Sequence, residues 1–249
     1  MLTSTFPNSW RFLSSTSVLV ALLGFPNVVG TESSASLKEN LDLPFNFGGT
    51  GEDDEDAPEV IFFYGGAYEA SSVVFCLDES LTMRNENRFQ IQNREAMRAI
   101  SELSEKAEFG VVFYGGGVHA FRPKLTVATA AAKGASAAFI KSRRVNLGTC
   151  TGTAVVKALR MLRKTKSRHR AVILVSDGQA TTCPFTPIGG CEGQKKINQN
   201  ILSEIRSANS ERISIHTLFV GRTDICNDSI RFMKAISDEH LGTFRRVSS

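Results

Sequence analysis

The chain has 249 residues, a formal net charge of +4, 42% hydrophobic residues and 22% charged residues. That length holds one domain of roughly 180 to 200 residues plus an extension, and the composition lies in the globular range, with enough apolar residues for a sizeable core. So small an excess of positive charge argues against a nucleic-acid partner: Lys157, Arg160, Arg163, Lys164, Lys166, Arg168 and Arg170 read as the solvated tail of a helix, with cations near its C-terminal dipole.

Residues 1–30 differ in kind from the rest. Arg11 is the only early charge, and an apolar run over residues 18–25 follows it, broken by Pro26. The run is too short for a comfortable membrane span. With Val28 and Gly30 as a small-residue pair, and Ala35 as another candidate end, the segment reads as a secretory signal peptide, an uncleaved anchor being the alternative. Residues 31–58 are rich in Ser, Gly, Glu and Asp and end in the acidic run Glu52-Asp53-Asp54-Glu55-Asp56. Such a stretch buries too little area to offset its ordering entropy and is expected to be a disordered linker. The globular domain is placed at 59–249.

Export sets how the five cysteines are read, since an oxidising compartment permits disulfides. Cys183 and Cys191 flank a loop with two prolines and two glycines, so a local Cys183–Cys191 bridge is expected; Cys150 and Cys226 remain as a second pair, and Cys76 sits inside an apolar run as a buried free thiol.

Within the domain, apolar runs and helical periodicities alternate. Residues 60–64 form a short strand or a strand-like lead-in, and residues 73–77 a core strand. Ile91, Ala96, Ile100, Leu103 and Ala107 recur at helical spacing. A strand follows at 110–114, and after Gly115-Gly116-Gly117 its hairpin partner at 118–121. Helices are predicted at 129–142 and 152–164, a second core strand at 171–175, a helix over 197–208 and a strand at 213–220. Ile230, Met233 and Ile236 mark the last helix, which Gly242 closes before an edge strand at 243–247. Strands alternating with helices predict an α/β fold: a doubly wound, mostly parallel central sheet with one antiparallel edge strand and helices on both faces.

Both core strands end abruptly in an aspartate, Asp78 and Asp177. A strand buried on both faces cannot easily hide a charge, so each carboxylate belongs where its strand emerges, at the carboxyl edge where open α/β sheets place ligands. Asp78, Ser80 and Thr82 alternate along the chain and so converge on one side. They are hard oxygen donors of the kind magnesium prefers, and none is soft enough to select copper or zinc. Asp177 adds a second carboxylate, and the segment Gly148-Thr149-Cys150-Thr151-Gly152 adds hydroxyls at a helix start.

In this order, Asp78-x-Ser80-x-Thr82, the threonine loop at 148–152 and Val175-Ser176-Asp177-Gly178 resemble the metal-ion-dependent adhesion site of a von Willebrand factor A domain. The resemblance extends from about residue 73 to 247. It implies a Rossmann-like doubly wound fold and a Mg2+ (or Mn2+) site formed by Asp78, Ser80, Thr82, Thr149 and Asp177, with Thr151 as the alternative loop threonine. In the family the first two hydroxyls ligate directly and the second aspartate often acts through water. Thr82 stands where serine is commonest, and Leu81 replaces a common small residue.

A magnesium ion held by only some of its six oxygens keeps open positions. A carboxylate from a protein partner can fill one, which makes metal-bridged adhesion the expected function of a secreted, periplasmic or envelope protein with no stable membrane span after signal cleavage. Catalysis would also need a positioned base or nucleophile. The four histidines (His119, His169, His216 and His240) have no ligand or triad spacing, and no phosphate loop or nucleophile elbow occurs. A metal-dependent hydrolase built on Asp78 and Asp177, or a scaffold with a degenerate site, are the alternatives. The loop over residues 181–193 follows Asp177 and is placed at the rim of the same face, either as a braced surface loop or as a specificity loop.

Overall fold

The computed structural model describes residues 57–186, 189–222, 226 and 228–247. The expected signal peptide and nearly all of the acidic linker lie outside the described residues. The elements in chain order are strands β1 (Glu59–Phe63), β2 (Gly66–Ala70) and β3 (Ser72–Asp78), a 3₁₀ segment (Leu81–Asn87), helix α1 (Arg88–Glu102), strands β4 (Glu108–Tyr114), β5 (Val118–Ala120) and β6 (Thr126–Val127), helices α2 (Ala130–Ser142) and α3 (Thr151–Leu162), strand β7 (Arg170–Ser176), helix α4 (Gly190–Ala208), strand β8 (Ser214–Phe219), helix α5 (Ser229–Glu239) and strand β9 (Phe244–Arg246).

The main sheet runs β5-β4-β3-β7-β8-β9, with β6 also pairing β4. β3, β4, β7, β8 and β9 are mutually parallel, whereas β5 and β6 lie antiparallel on the outer side of β4. The expected mixed α/β sheet is therefore present, its antiparallel edge made by two short strands. Every residue of β3 is buried, because helices cover both faces and each strand residue meets a packed layer whichever way it points. One face packs Val73, Phe75 and Leu77 against α1 and α2, through Ala96, Ile100 and Ile140. The other packs Val74 and Cys76 against α3, α4 and α5, through Val155, Leu159, Ile205 and Met233.

One sequence expectation is extended and three need correction. The lead-in at residues 60–64 is the first strand of a separate hairpin, β1 paired antiparallel with β2. Its turn residues Tyr64 and Gly65 both have positive φ, 50° and 68°, as a type I′ hairpin turn requires. A tyrosine at the first of these positions carries no turn signal, so β2 is not legible from sequence. The hairpin inserts Ile61, Phe63 and Tyr68 into the α1 face of the core. Helix α1 stops at Glu102, where Leu103 turns extended with ψ 143°; Leu103 and Ala107 are buried core residues of the connection that follows it. Helix α4 starts at Gly190, seven residues before the expected position, since its first two turns are polar and hold no apolar period; Gln194 anchors them by donating to the Ala180 carbonyl at 2.9 Å.

The disulfides are Cys150–Cys183 and Cys191–Cys226, not the local Cys183–Cys191 bridge. Thr149 and Thr181 bind side by side: the Thr149 N–H donates to Thr181 Oγ1 at 2.8 Å and the Thr181 N–H to the Thr149 carbonyl at 2.9 Å. This pairing carries Cys150 against Cys183, while Cys191 departs in the first turn of α4. Cys76 is a free, buried thiol, as expected.

Candidate cation site

The carboxyl ends of β3 and β7 are adjacent strand ends, with Leu77 in register with Val175, so Asp78 and Asp177 leave the sheet beside each other. Asp78 is fully buried and Asp177 is 6% exposed. Three contacts fix Asp78. Gln92, on the buried side of α1, accepts from the Asp78 N–H at 3.0 Å and donates to its carbonyl at 2.9 Å. The Asp78 carboxylate accepts from the Ser80 N–H at 2.7 Å on one oxygen and from the Ser176 hydroxyl at 2.8 Å on the other. Ser176 Oγ in turn accepts from the Gly178 N–H at 3.0 Å. That turn needs glycine: Gly178 has φ +87°, and a Cβ there would lie 2.5 Å from Ser229 Cβ.

Ser80 and Thr82 place their hydroxyl oxygens 3.1 Å apart, and Thr82 is near enough to Asp177 to oppose the rise of its carboxyl. Asp78, Ser80 and Thr82 are thus linked by hydrogen bonds, with Asp177 at the end of the neighbouring strand. Asp177 Oδ1 is buried with no hydrogen-bond partner among the described residues, an exception to the rule that buried polar atoms are satisfied. Burial first, and then the charge of Asp177, pushes the Asp78 carboxyl up to about 7, against the pull of the Ser80 and Ser176 hydrogen bonds. Asp177 is raised too, chiefly by burial, with Thr82 and the Arg88 guanidinium opposing the shift. Two desolvated carboxylates side by side resist simultaneous ionisation.

Thr149 is buried on a loop fastened to the same sheet edge. The Asn146 N–H donates to the Glu79 carbonyl at 2.7 Å and the Cys150 N–H to the Gly115 carbonyl at 2.9 Å. The Thr149 hydroxyl is not hydrogen-bonded to the other four residues; its loop is tied to them through the Thr181 pairing and the Cys150–Cys183 bridge. The Thr151 hydroxyl turns back onto the Thr149 carbonyl at 3.4 Å, which leaves Thr149 as the freer donor.

Glu79, the residue after Asp78, has a defined role. It is fully buried and takes a bidentate ion pair from Arg143, at 2.9 and 2.7 Å, together with the Asn146 amide at 2.9 Å. The exposed His119 ring lies 3.9 Å from the same carboxylate. Arg143 also stacks over Phe113 and Phe139. Gln92, Ser176, Glu79 and Arg143 all act on the site from outside the aspartate-hydroxyl pattern. Only alternation offered a clue: Glu79 points away from the Asp78 side of the chain.

The donor set fits a small hard cation. It offers two carboxylates and hydroxyls but no thiolate or imidazole, and an orphaned carboxylate oxygen is what a cation would satisfy. Among the described residues no cluster of three or more His, Cys, Asp or Glu side chains is arranged to hold a metal, so any cation here would depend on the hydroxyls.

Residues 73–179 match the family model for the von Willebrand factor type A domain. No curated protein matches the chain in sequence. Among solved structures, similarity is found to a von Willebrand factor type A protein from Catenulispora acidiphila, with 20% identity, a TM-score of 0.56 and coverage of 74% of this chain and 40% of that one. The pilus adhesin SpaC from Lactobacillus rhamnosus GG gives 17% identity and a TM-score of 0.55, covering 70% and 27%. The von Willebrand factor domain of a type V pili tip protein from Porphyromonas gingivalis gives 13% identity and a TM-score of 0.56, covering 76% and 90%. The chain spans well under half the length of the first two. At these identities the likeness concerns the fold.

Proposed function

We propose that this chain, whose residues 73–179 match the von Willebrand factor type A family model, is a protein of that family that binds Mg2+ (or Mn2+) through Asp78, Ser80, Thr82, Thr149 and Asp177 and uses it to engage a carboxylate on a protein partner. The observation that carries this reading is the unpartnered, buried Asp177 Oδ1 beside Asp78 at the ends of neighbouring strands. When bound, the cation would neutralise the paired carboxylates and offer an open position to an anionic oxygen. The protein's own part is to hold the donors still: Gln92 clamps the Asp78 backbone, Ser176 aims its carboxylate, and Gly178 lets β7 turn sharply away.

Support for adhesion rather than turnover comes from the surroundings. The groups hydrogen-bonded to the Asp78 carboxylate are the Ser176 hydroxyl and the Ser80 backbone amide. Among the histidines, His216 hydrogen-bonds to Thr243 and His240 lies against Asn209, so neither stands as a base beside the two aspartates. Pilus adhesins and pilus tip proteins among the structural relatives support a protein partner. Two disulfides fit an extracellular or envelope location, and among the described residues no helix is long and apolar enough to cross a membrane.

Isothermal titration of the purified protein with MgCl2, wild type against Asp78→Ala, is the direct test. Saturable heat in the wild type and none in the variant is the expected result. Equal, featureless traces for both would sink the cation site.

A further inference from the structure

Beside the cation site lies a cleft of about 480 Å³ between the 3₁₀ segment, the start of α1 and the end of α2. Its charged lining is entirely cationic: Arg84, Lys141, Arg143 and Arg144. Arg143 is committed to Glu79. Arg84, Lys141 and Arg144 are exposed and form no ion pair with any described residue; Arg144 only donates to the carbonyls of Lys141 and Arg143. Three exposed cations lining one cleft, with no ion pair among the described residues, favour a ligand carrying negative charge. Phe89 supplies an apolar wall, and Gln90 and Asn93 add amides that hydrogen-bond to no described residue. Amides of this kind suit a peptide backbone, which offers both N–H and C=O groups, better than a bare inorganic anion.

The cleft adjoins the cation site along the chain, although none of the cation-site residues lines it. Arg84 lies two residues beyond Thr82 on the same 3₁₀ segment, and Arg143 binds the residue next to Asp78. A larger cleft at the opposite ends of β3 and β4 carries lysines at its rim, but Glu108 sits within it, accepting from Ser72 and Thr165, and its carboxylate opposes an anion.

We infer that this cleft is a second recognition subsite for an acidic peptide segment, so that the partner presents one acidic side chain to the cation and another to Arg84, Lys141 and Arg144. The inference rests on the cation-site reading for the first contact only. It also explains a selectivity the metal alone cannot give: any carboxylate can approach a cation, but only one followed by further acid at short range gains from the cleft.

The test is fluorescence anisotropy of a labelled, amidated hexaglutamate peptide with the full-length protein, in magnesium and in chelator, with hexaglutamine and oligouridylate as comparison probes. Arg84→Glu/Arg144→Glu is the main variant, and Arg84→Gln/Arg144→Gln guards against a folding artefact. Hexaglutamate should bind the wild type and hexaglutamine should not. The charge-reversed variant should bind on the order of tenfold more weakly in both buffers, the neutral variant falling between. Unchanged affinity in both variants overturns the subsite, even where chelator abolishes binding and the cation reading stands. Sensitivity to the variants with no response to chelator upholds the subsite and overturns the cation reading instead. No hexaglutamate binding by the wild type, or tighter binding of oligouridylate, also overturns the peptide assignment.

Discussion

Asp78 is wholly enclosed, yet it carries a group whose charged form prefers water. Its carboxyl is raised from 3.8 to about 7 by burial and by Asp177. The folded chain therefore holds this proton more tightly than the unfolded chain does. Through this group, stability in the absence of a cation is greatest below pH 3.8 and is lost as the pH rises toward 7. Other groups also contribute to the pH dependence of stability, so the comparison must be with a variant. In chelator, the stability difference between Asp78→Asn and the wild type should grow from pH 4 to pH 7 in urea titrations; a difference that does not change with pH would refute the buried-charge account. Glu79 is buried as well, but its carboxylate is met by Arg143 and Asn146. Replacing it by alanine strands the guanidinium over Phe113 and Phe139, and breaking a buried pair from one side should cost roughly 3 kcal/mol, readable as a lowered urea midpoint.

The site is assembled from three elements: the end of β3, the loop before α3 and the end of β7. The first and last were legible in sequence because apolar runs ending in aspartate, common singly, occur here in order with a hydroxyl-rich loop between them. The middle loop was legible only through its hydroxyls and glycines. Its fastening was not, because a disulfide partner depends on which loops the sheet brings together, and sequence proximity favoured Cys191 over Cys150. The β1–β2 hairpin was missed in part for a similar reason: its turn is made by Tyr64 rather than by a residue that advertises positive φ. Gln92 was hidden as well, since a polar residue on the buried side of α1 breaks the helical period rather than announcing a clamp. The bridge from Cys150 to Cys183, separated by 33 residues, should supply about 3 to 4 kcal/mol by restricting the unfolded chain. It also ties the Thr149 loop to the segment following Asp177. Cys150→Ser/Cys183→Ser is therefore expected to lower the melting temperature and also to weaken magnesium binding. A variant that melts earlier but titrates with magnesium like the wild type would limit the bridge to stability.

At the scale of the whole domain, two aspartates belonging to neighbouring strands meet where the two hydrophobic layers end. A cation bound there, as proposed, would couple β3 and β7, and through Gln92 and the Thr149 loop it would couple α1 on one face to α3 on the other. Binding to the folded state alone raises stability by mass action, about 2.7 kcal/mol at a free cation concentration one hundred times the dissociation constant. For a domain of this size that corresponds to a rise of roughly 5 to 10 °C in melting temperature. The rise should be larger at pH 7.5 than at pH 5.5, because at the lower pH the cation must displace the proton that Asp78 holds up to about pH 7. Asp177→Asn keeps the size of the side chain but removes one of the two charges, and should abolish most of the rise at both pH values. Thermal melts with and without magnesium at the two pH values, for the wild type and this variant, separate a coupled cation site from a general salt effect, which would raise all four melts alike.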